Sequence, residues 1–521
     1  MLAKKVIALF VATIMSVSML AGCGNSEKTN TGAAGGKEAE LPDLEVWTTI
    51  VGSKGAEKDG IVYNWYKELF GVGLYAPYVE WNGGTTYQEQ LNLRISAGEM
   101  PDMFLPVNGM EKDLILNGAL LDLTDLIPEK APHLWEAIPE EVWDVVKRND
   151  PTGEGRIYVI PTVTTYAYEG AMVRQDWLDK LGMEMPTTQE AYVEMLRAFK
   201  TKDPNGNGKQ DEIPTGGRAE ARWMDHLFAM YGIAMFEGYP DWDIYNGELT
   251  YSAVTQNMRD ALQFISGLYK EGLIDQETLL NNKAGWEGKV NSNQVGNYFH
   301  WLKLSANRTQ KLKDGTGVVG EWAYMPIISA PGYEGYYTQK QIGSQFICCA
   351  YTEDEAKIEA MLRVLDGVFN PEYRDILTDG IEGYNWNYDE NGTKVQVTSA
   401  DLEHRFFKPY EIVMSKENDM ASLDYDLTNT ADPDMKNALQ RAKQNVEEAE
   451  GKTIAGDGLP TVVYQDYPDI QNRTLFVEYA SKIIAGEYPI EKFDEFVKLW
   501  YSSGGEEVTK RAREWYASVD K

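Results

Sequence analysis

The stretch "GRIYVIPTVTTY", residues 155–166, has the β-branched and aromatic make-up of a strand, yet Pro161 sits in its middle. Proline lacks the N–H that a ladder needs, so it is out of place inside a sheet. The segment therefore reads as a strand interrupted at Pro161, suited to a crossing between domains. Its surroundings agree. Upstream, "LEVWTTI" (44–50) alternates like a strand and "IVYNWYKELF" (61–70) is an amphipathic helix. "TYQEQLNLRISAGEM" (86–100) reads as another helix and "PDMFLPV" (101–107) as a short buried strand. Downstream come "AMVRQDWLDKLG" (171–182) and then "TTQEAYVEMLRAFK" (187–200), where Thr188 and Glu190 mark a helix start. "VTQNMRDALQFISGLYKEGLI" (254–274) and "EDEAKIEAMLRVLDGVF" (353–369) are strong amphipathic helices, and the chain beyond 467 reads as helix almost throughout. Strand and helix alternate, which predicts parallel α/β layers. The ~480 residues of the body exceed what one core holds, so at least two domains are expected.

The N-terminus addresses the compartment. "MLAKK" is basic, and "VIALFVATIMSVSML" (6–20) is apolar but short of the ~20 residues of a spanning helix, which fits a secretory signal. It runs into "LAGC", Leu20 to Cys23, which resembles the bacterial lipobox; the resemblance implies cleavage of residues 1–22 and lipidation of Cys23. Residues 23–42 include "GNSEKTNTGAAGGKEAE", polar and Gly-rich, a flexible tether. Two or more acyl chains make a stable anchor. The expected location is the outer face of the cell membrane.

The formal net charge is −32, and loss of Lys4 and Lys5 with the signal makes it more negative still. Such acidity argues against nucleic acid and anionic lipid surfaces as partners. The three cysteines include Cys348 and Cys349, adjacent in "QFICCAYT". Neighbours in a strand point to opposite faces, so two buried free thiols are expected rather than a strained vicinal disulfide. His133, His226, His300 and His404 share no metal spacing.

Taken in order, "LAGC", "SAGEMPDMF" (96–104), "GRIYVIP" (155–161), "RQDWLDKLGMEMPTTQEAYVEMLRAFK" (174–200), "DPNGNGKQDEIP" (203–214), "EGLIDQETL" (271–279) and "GIEGYNW" (380–386) resemble the family 1 extracellular solute-binding proteins of ABC importers, in their large Gram-positive lipoprotein branch. Each motif alone is weak; their succession is specific. The resemblance implies an α/β, two-lobed periplasmic-binding-protein-like fold of type II, with a sugar held in the cleft between hinged lobes. It implies an oligosaccharide ligand, a transmembrane permease as partner, and a monomer. One lobe would comprise 43–160 and about 341–400, the other 161–340 and about 401–521.

The resemblance also bears on residues 203–212, similar to the EF-hand-like calcium loop of some of these proteins. Side-chain oxygens would come from Asp203, Asn205, Asn207, Asp211 and Glu212, with the backbone carbonyl of Lys209. Calcium takes ~6–8 oxygens, which alternate residues of a tight loop can supply. Gly206 and Gly208 permit the wrapping. The carboxylate pair sits at loop positions 9 and 10, and no Glu follows at 12, unlike a standard EF-hand. The alternative is an Asn-Gly turn without metal. The ion's role would be structural.

Fourteen Trp and 31 Tyr are a heavy aromatic load, and pyranose rings stack on such faces. Loops at the C-terminal ends of strands line the cleft of open α/β sheets. On that ground the ligand candidates are Trp47, Trp81, Tyr166, Trp223, Trp286, Trp301, Tyr384 and Trp386, with Arg222, Asp225, Glu382 and Asn385 as polar neighbours. "YPDWDIYNGELTY" (239–251) reads instead as a surface hairpin with an Asn-Gly turn. No G-x-S-x-G, H-E-x-x-H or P-loop occurs, so none of these enzyme motifs competes with binding. A secreted glycoside hydrolase and a peptide or signal receptor of the same fold are the alternatives; the acidity favours a neutral glycan over a uronate.

Overall fold

The computed structural model describes residues 41–47, 56–79, 85–106, 109–390, 392, 394–396 and 413–519. The signal, Cys23, most of the tether and Trp81 lie outside the described residues. The main strands are β1 (Leu44–Trp47), β2 (Leu74–Tyr75), β3 (Met103–Phe104), β4 (Val159–Thr164), β5 (Glu169–Arg174), β6 (Ile213–Thr215), β7 (Val295–Trp301), β8 (Trp322–Tyr324), β9 (Ile342–Cys349) and β10 (Val413–Met414). They form two principal sheets, ordered β10-β4-β9-β3-β1-β2 and β8-β5-β7-β6.

Neither sheet is purely parallel. β9 runs antiparallel to both β3 and β4, and β5 runs antiparallel to both β7 and β8. The sequence expectation failed here because it assumed that each strand is followed by its own crossover helix. β9 instead enters its sheet directly from the other half of the molecule, with no helix to turn it round.

Two hydrophobic cores result. The first is built from Leu44 to Val163, then Ile347 to Leu377, and Val413; the second runs from Tyr166 to Tyr337 and again from Leu423 to Ala512. Among the described residues the chain passes between them at 164–169, 339–342 and 414–416. At the first passage the strand is not interrupted at Pro161. β4 continues through it, and the irregularity falls on β9, which loses register between Ile342 and Phe346 opposite this stretch. The missing N–H is absorbed by a bulge in the partner.

Local signals place the elements. The helix Gln189–Thr201 starts where Thr188 accepts a hydrogen bond from the Ala191 N–H at 3.1 Å. Gln256–Glu271 is capped by Thr255 and ends at Gly272, and Glu355–Phe369 is capped by Asp354. Gly296 in β7 allows the closest approach of layers: a Cβ there would lie 2.4 Å from the Phe199 ring. The hairpin of Trp242–Tyr245 and Glu248–Tyr251 turns at Asn246 and Gly247, both left-handed. One of its faces is core, since Trp242 is buried and donates to the Tyr464 hydroxyl at 2.7 Å. Cys348 and Cys349 are free and buried on the two faces of β9. Among the described residues no helix is long and apolar enough to cross a membrane.

Candidate functional site

At one end of β5 and β7 the second core gathers aromatic rings and polar groups into one patch. Trp301 pairs with Glu169 across the ladder, and His300 with Gly170. The Trp223 ring centroid lies 4.4 Å from Trp286 and 4.6 Å from His300. Arg218 caps Trp223 at 4.6 Å and Arg308 caps Trp286 at 5.1 Å, so the stack is closed by a cation at each end. Beside it, Tyr168 meets Trp301 at 5.6 Å and Phe236 at 6.1 Å, both edge-on. Tyr166 lies 6.4 Å from Tyr168 and donates its hydroxyl hydrogen to Asp419, whose other oxygen takes Lys303 at 2.5 Å.

The backbone that holds this patch is strained. Glu220, Ala221, Trp223 and Glu237 all have left-handed φ, between 49° and 64°. Such conformations cost ~1–3 kcal/mol each and collect at binding sites. Gly238 (φ 78°) closes the loop against Arg222, where a Cβ would fall 2.6 Å from the arginine Cα.

Several buried polar atoms here lack partners among the described residues. They include Asp225 Oδ2, His300 Nδ1, Arg308 Nε and Nη1, and the indole nitrogens of Trp223 and Trp286. Trp301, opposite Glu169 on the ladder, offers its indole N–H to that carboxyl and partly offsets the rise that burial causes. A native core leaves few such atoms, and each costs ~1–3 kcal/mol. Asp225 Oδ1 does accept the Gly238 N–H at 2.9 Å, and Arg222 pairs with Glu237 at 3.2 Å. Burial first, then the neighbouring Glu237, push Glu169 far above the carboxylate range; burial, with Glu237 adding, takes Asp225 up to about 7. Burial and the nearby Arg308, Lys283 and Arg218 hold His300 neutral.

Of the residues chosen from sequence, Arg222, Trp223, Asp225, Trp286 and Trp301 converge here, with Tyr166 on the margin. Trp47 lies in the first core, its indole N–H donating to Glu45 at 2.9 Å under the Arg94 guanidinium. The 382–386 turn forms a separate group. Glu382 is exposed, Asn385 is buried and accepts the Ile381 N–H at 2.9 Å, and Tyr384 packs on the first core. Trp386 donates to Gly380 O at 3.2 Å with Lys394 4.2 Å above its ring. Sequence reasoning missed Tyr168, Glu169, Arg218, His300 and Arg308. Glu169 carried a usable signal, being a carboxylate that opens the otherwise apolar "GAMV" directly after the crossing.

Two concavities, of ≈ 330 Å³ beside Asp102 and Lys357 and ≈ 520 Å³ beside Ser266 and Tyr488, lie elsewhere.

The loop 203–212 leaves the helix Gln189–Thr201 and leads into β6. Asp203, Gly206 and Gly208 take left-handed φ, and the loop curls on its own oxygens. Asp203 accepts the N–H groups of Asn207 and Gly208 at 3.0 Å, and Asn207 Oδ1 accepts that of Lys209 at 2.8 Å. The amides of Asn205 and Asn207 both donate to Asp211, at 3.2 and 2.9 Å. Both Glu212 carboxyl oxygens are buried without a partner. Burial, aggravated by Asp203 and Asp211, raises that carboxyl. Among the described residues no three His, Cys, Asp or Glu side chains stand together as a metal cluster, so a cation here would draw on amide and backbone oxygens as well.

The comparisons with known proteins settle the class. The sequence profile described as "Bacterial extracellular solute-binding protein" matches residues 78–365, more than half of the chain. The chain belongs to the extracellular solute-binding protein family. It is 24% identical to the Lipoprotein LipO of Bacillus subtilis (strain 168), over 98% of both chains. It is 29% identical to the Fructooligosaccharide ABC transporter substrate-binding protein FusA of Streptococcus pneumoniae serotype 4, over 49% of this chain and 48% of FusA. A solved structure of an EF-hand mutant of FusA with fructo-nystose aligns at TM-score 0.65 and 19% identity, covering 92% of this chain and 99% of FusA. Alginate-binding protein AlgQ2 without calcium ion aligns at TM-score 0.65 and 21% identity, covering 92% and 100%. The fold is that of the two-lobed solute-binding proteins, and membership of a binding family decides against the hydrolase reading.

Proposed function

We propose that this solute-binding protein captures an oligosaccharide of several units outside the cell and delivers it to the permease of an ABC importer, while anchored through lipidated Cys23. The observation that carries the ligand class is the patch at β5 and β7, with flat ring faces beside buried, unpartnered hydrogen-bonding groups. Sugars offer both counterparts, C–H faces for the rings and hydroxyls for the polar atoms. The names of FusA and of the polygalacturonan/rhamnogalacturonan-binding YtcQ of B. subtilis, 22% identical over 98% of both chains, support the glycan reading. The lobes are assigned as the sequence suggested, 43–160 with about 341–400 and 161–340 with about 401–521, closing on the ligand by a hinge.

The 203–212 loop is proposed to hold structural calcium through Asp203, Asn205, Asn207, Lys209 O, Asp211 and Glu212. The buried, unpaired Glu212 carboxyl supports this, since a cation would neutralise it together with Asp203 and Asp211. Calcium there would tie the end of the helix Gln189–Thr201 to β6.

Thermal melting of the protein against neutral oligosaccharides, acidic oligosaccharides and peptides tests the reading. Stabilisation by one glycan class without its breakdown is the expected outcome. Stabilisation by peptides alone would transfer the protein to the receptor reading.

A further inference from the structure

Resting on the glycan reading, we propose that Arg473 is a positioning residue of this site, reaching in from the C-terminal helices to fasten the segment 220–238 that carries Trp223 and Asp225.

Arg473 stands just before the helix Thr474–Ile484, at a left-handed φ of 59°. Its side chain is 5% exposed, and its two terminal nitrogens go to different partners. Nη1 donates to Gly238 O at 2.8 Å, and Nη2 donates to Glu220 Oε2 at 2.9 Å. The guanidinium also lies 3.5 Å from the centre of the Tyr239 ring, with Arg222 at 5.3 Å from the same ring. One fork thus grips both ends of a segment that lies 235 and 253 residues earlier in the chain.

What the fork holds is the strained part of the site. Glu220, Ala221, Trp223 and Glu237 take left-handed φ, and Gly238 joins them at 78°. Residues in such conformations persist only where their surroundings over-determine them. Inside the segment, the Gly238 N–H donates to Asp225 and Arg222 pairs with Glu237, so the two ends close on each other. Arg473 ties this closed pair to a separate element, the C-terminal helices. A planar guanidinium with fixed N–H directions sets where both ends stand, which a point charge does not. An ion pair with a buried member adds little net stability, because desolvation offsets the attraction, so its larger contribution is to geometry.

The consequence is preorganisation. Trp223 meets Trp286 and His300 only while the backbone around it keeps its shape. Without Arg473 the segment relaxes for part of the time, and apparent affinity falls with the competent fraction. The loss belongs to association, since fewer molecules are competent at encounter. A sugar once bound meets the same groups and leaves at its former rate. Arg513 offers a comparison. It too reaches from a C-terminal helix, Glu506–Val519, to a carbonyl, Leu249 O at 2.9 Å, and to a carboxylate, Glu248 at 2.7 Å, though it is more exposed. Its target is the hairpin 242–251, which carries none of the patch.

The test is stopped-flow tryptophan fluorescence of the full chain and its R473Q, R473K, E220Q and R513Q variants with kestose, xylotriose, mannotriose and trigalacturonate. With the trisaccharide that the wild-type protein binds, R473Q is expected to associate at least ~5-fold more slowly and to dissociate within ~3-fold of the wild-type rate. R473K and E220Q each remove one arm of the fork and are expected to slow association by ~3-fold. They stand in for R473Q should it fail to fold, and unchanged association in both then overturns the inference. R513Q is expected to keep both wild-type rates even where its melting temperature falls. A smaller slowing in folded R473Q, a loss carried by dissociation, or an equal slowing in R513Q overturns this inference while leaving a glycan-binding protein. Binding of none of these glycans by the wild-type protein overturns the glycan reading and the inference with it.

Discussion

The two cores treat their buried polar groups differently. In the first, over 41–163 and 342–396, Asn149 Oδ1 is the single buried side-chain nitrogen or oxygen without a partner among the described residues. Its aromatics pack ring on ring, as Trp135 and Trp143 do at 5.1 Å, and its charges pair, as Lys357 does with Asp102 at 2.7 Å. The second core holds the others, some scattered, as on Trp177, Glu212, Arg473 and Trp515, and seven residues' worth gathered near one end of β5 and β7, on Glu169, Trp223, Asp225, Trp286, His300, Trp301 and Arg308. A cluster of such atoms beside strained backbone is where a functional role is sought first. The contrast teaches a division of labour. On the proposed reading, the first core supplies stability and the second gives up part of its own for recognition.

The largest effect that could break this division comes from two tryptophans. Trp143→Ala, in the first core, is expected to remove ~3–5 kcal/mol of stability in urea titrations while leaving the sugar affinity of the folded protein unchanged. Trp301→Ala, only partly buried, is expected to lose ~10-fold or more in affinity with a smaller stability cost. Equal effects of the two on affinity would erase the distinction between the cores.

Calcium comes next. Removal with EDTA should destabilise the protein by ~2.7 kcal/mol relative to calcium at 100 times its dissociation constant, with a matching fall in melting temperature. Glu212→Gln should abolish most of that response. Magnesium should not substitute, since its smaller, strictly octahedral shell suits this loop poorly.

A third test uses pH. Asp225 is raised to about 7 by burial, and its neighbour His226 is lowered to about 3, also by burial. Between pH ~4 and ~6.5 folded Asp225 keeps a proton that the unfolded chain releases, so its contribution falls as pH rises. Over the same window folded His226 is neutral while the unfolded chain binds a proton, so its contribution rises with pH. The two slopes oppose. Asp225→Asn removes one of them, and stability should then climb with a slope steeper than wild type by ~1.4 kcal/mol per pH unit, measurable by denaturation across that range. An unchanged slope would mean that Asp225 is ionised and solvated in the folded protein.

The smallest effect sharpens the contrast from the other side. Thr188→Ala in the second core and Asp354→Ala in the first each remove a helix cap worth ~1 kcal/mol. Neither touches the patch, so both should lower the melting point slightly and leave ligand affinity alone.

Much of the fold was legible because local rules held. Thr188, Thr255 and Asp354 mark helix starts by hydrogen bonds to residues two or three positions on, and Gly182 and Gly272 mark ends by left-handed φ. Cys348 and Cys349 were readable as buried free thiols from strand alternation alone. The sheets were not readable in the same way. Strand direction in β9 depends on where the chain arrives from, and no side chain in 342–349 encodes that. The site was partly legible. Trp223, Trp286 and Trp301 announced themselves as rings in loops and at strand ends; the first two touch, and His300 stands between them and Trp301. Trp47 satisfied the same rule and lies in the first core, because the end of a strand can be covered by its own helices.

The sequence by itself determined the class of the chain and the positions of its principal helices, since each follows from motif order or apolar period. Only the tertiary structure decided that Glu169, 54 residues before Trp223 and 117 before Trp286, would share one patch with them and with Asp225. Contacts of that range are set by strand register and by which core a segment joins. Whether a carboxyl is solvated or stranded depends on every neighbour at once, and no spacing in the chain records it.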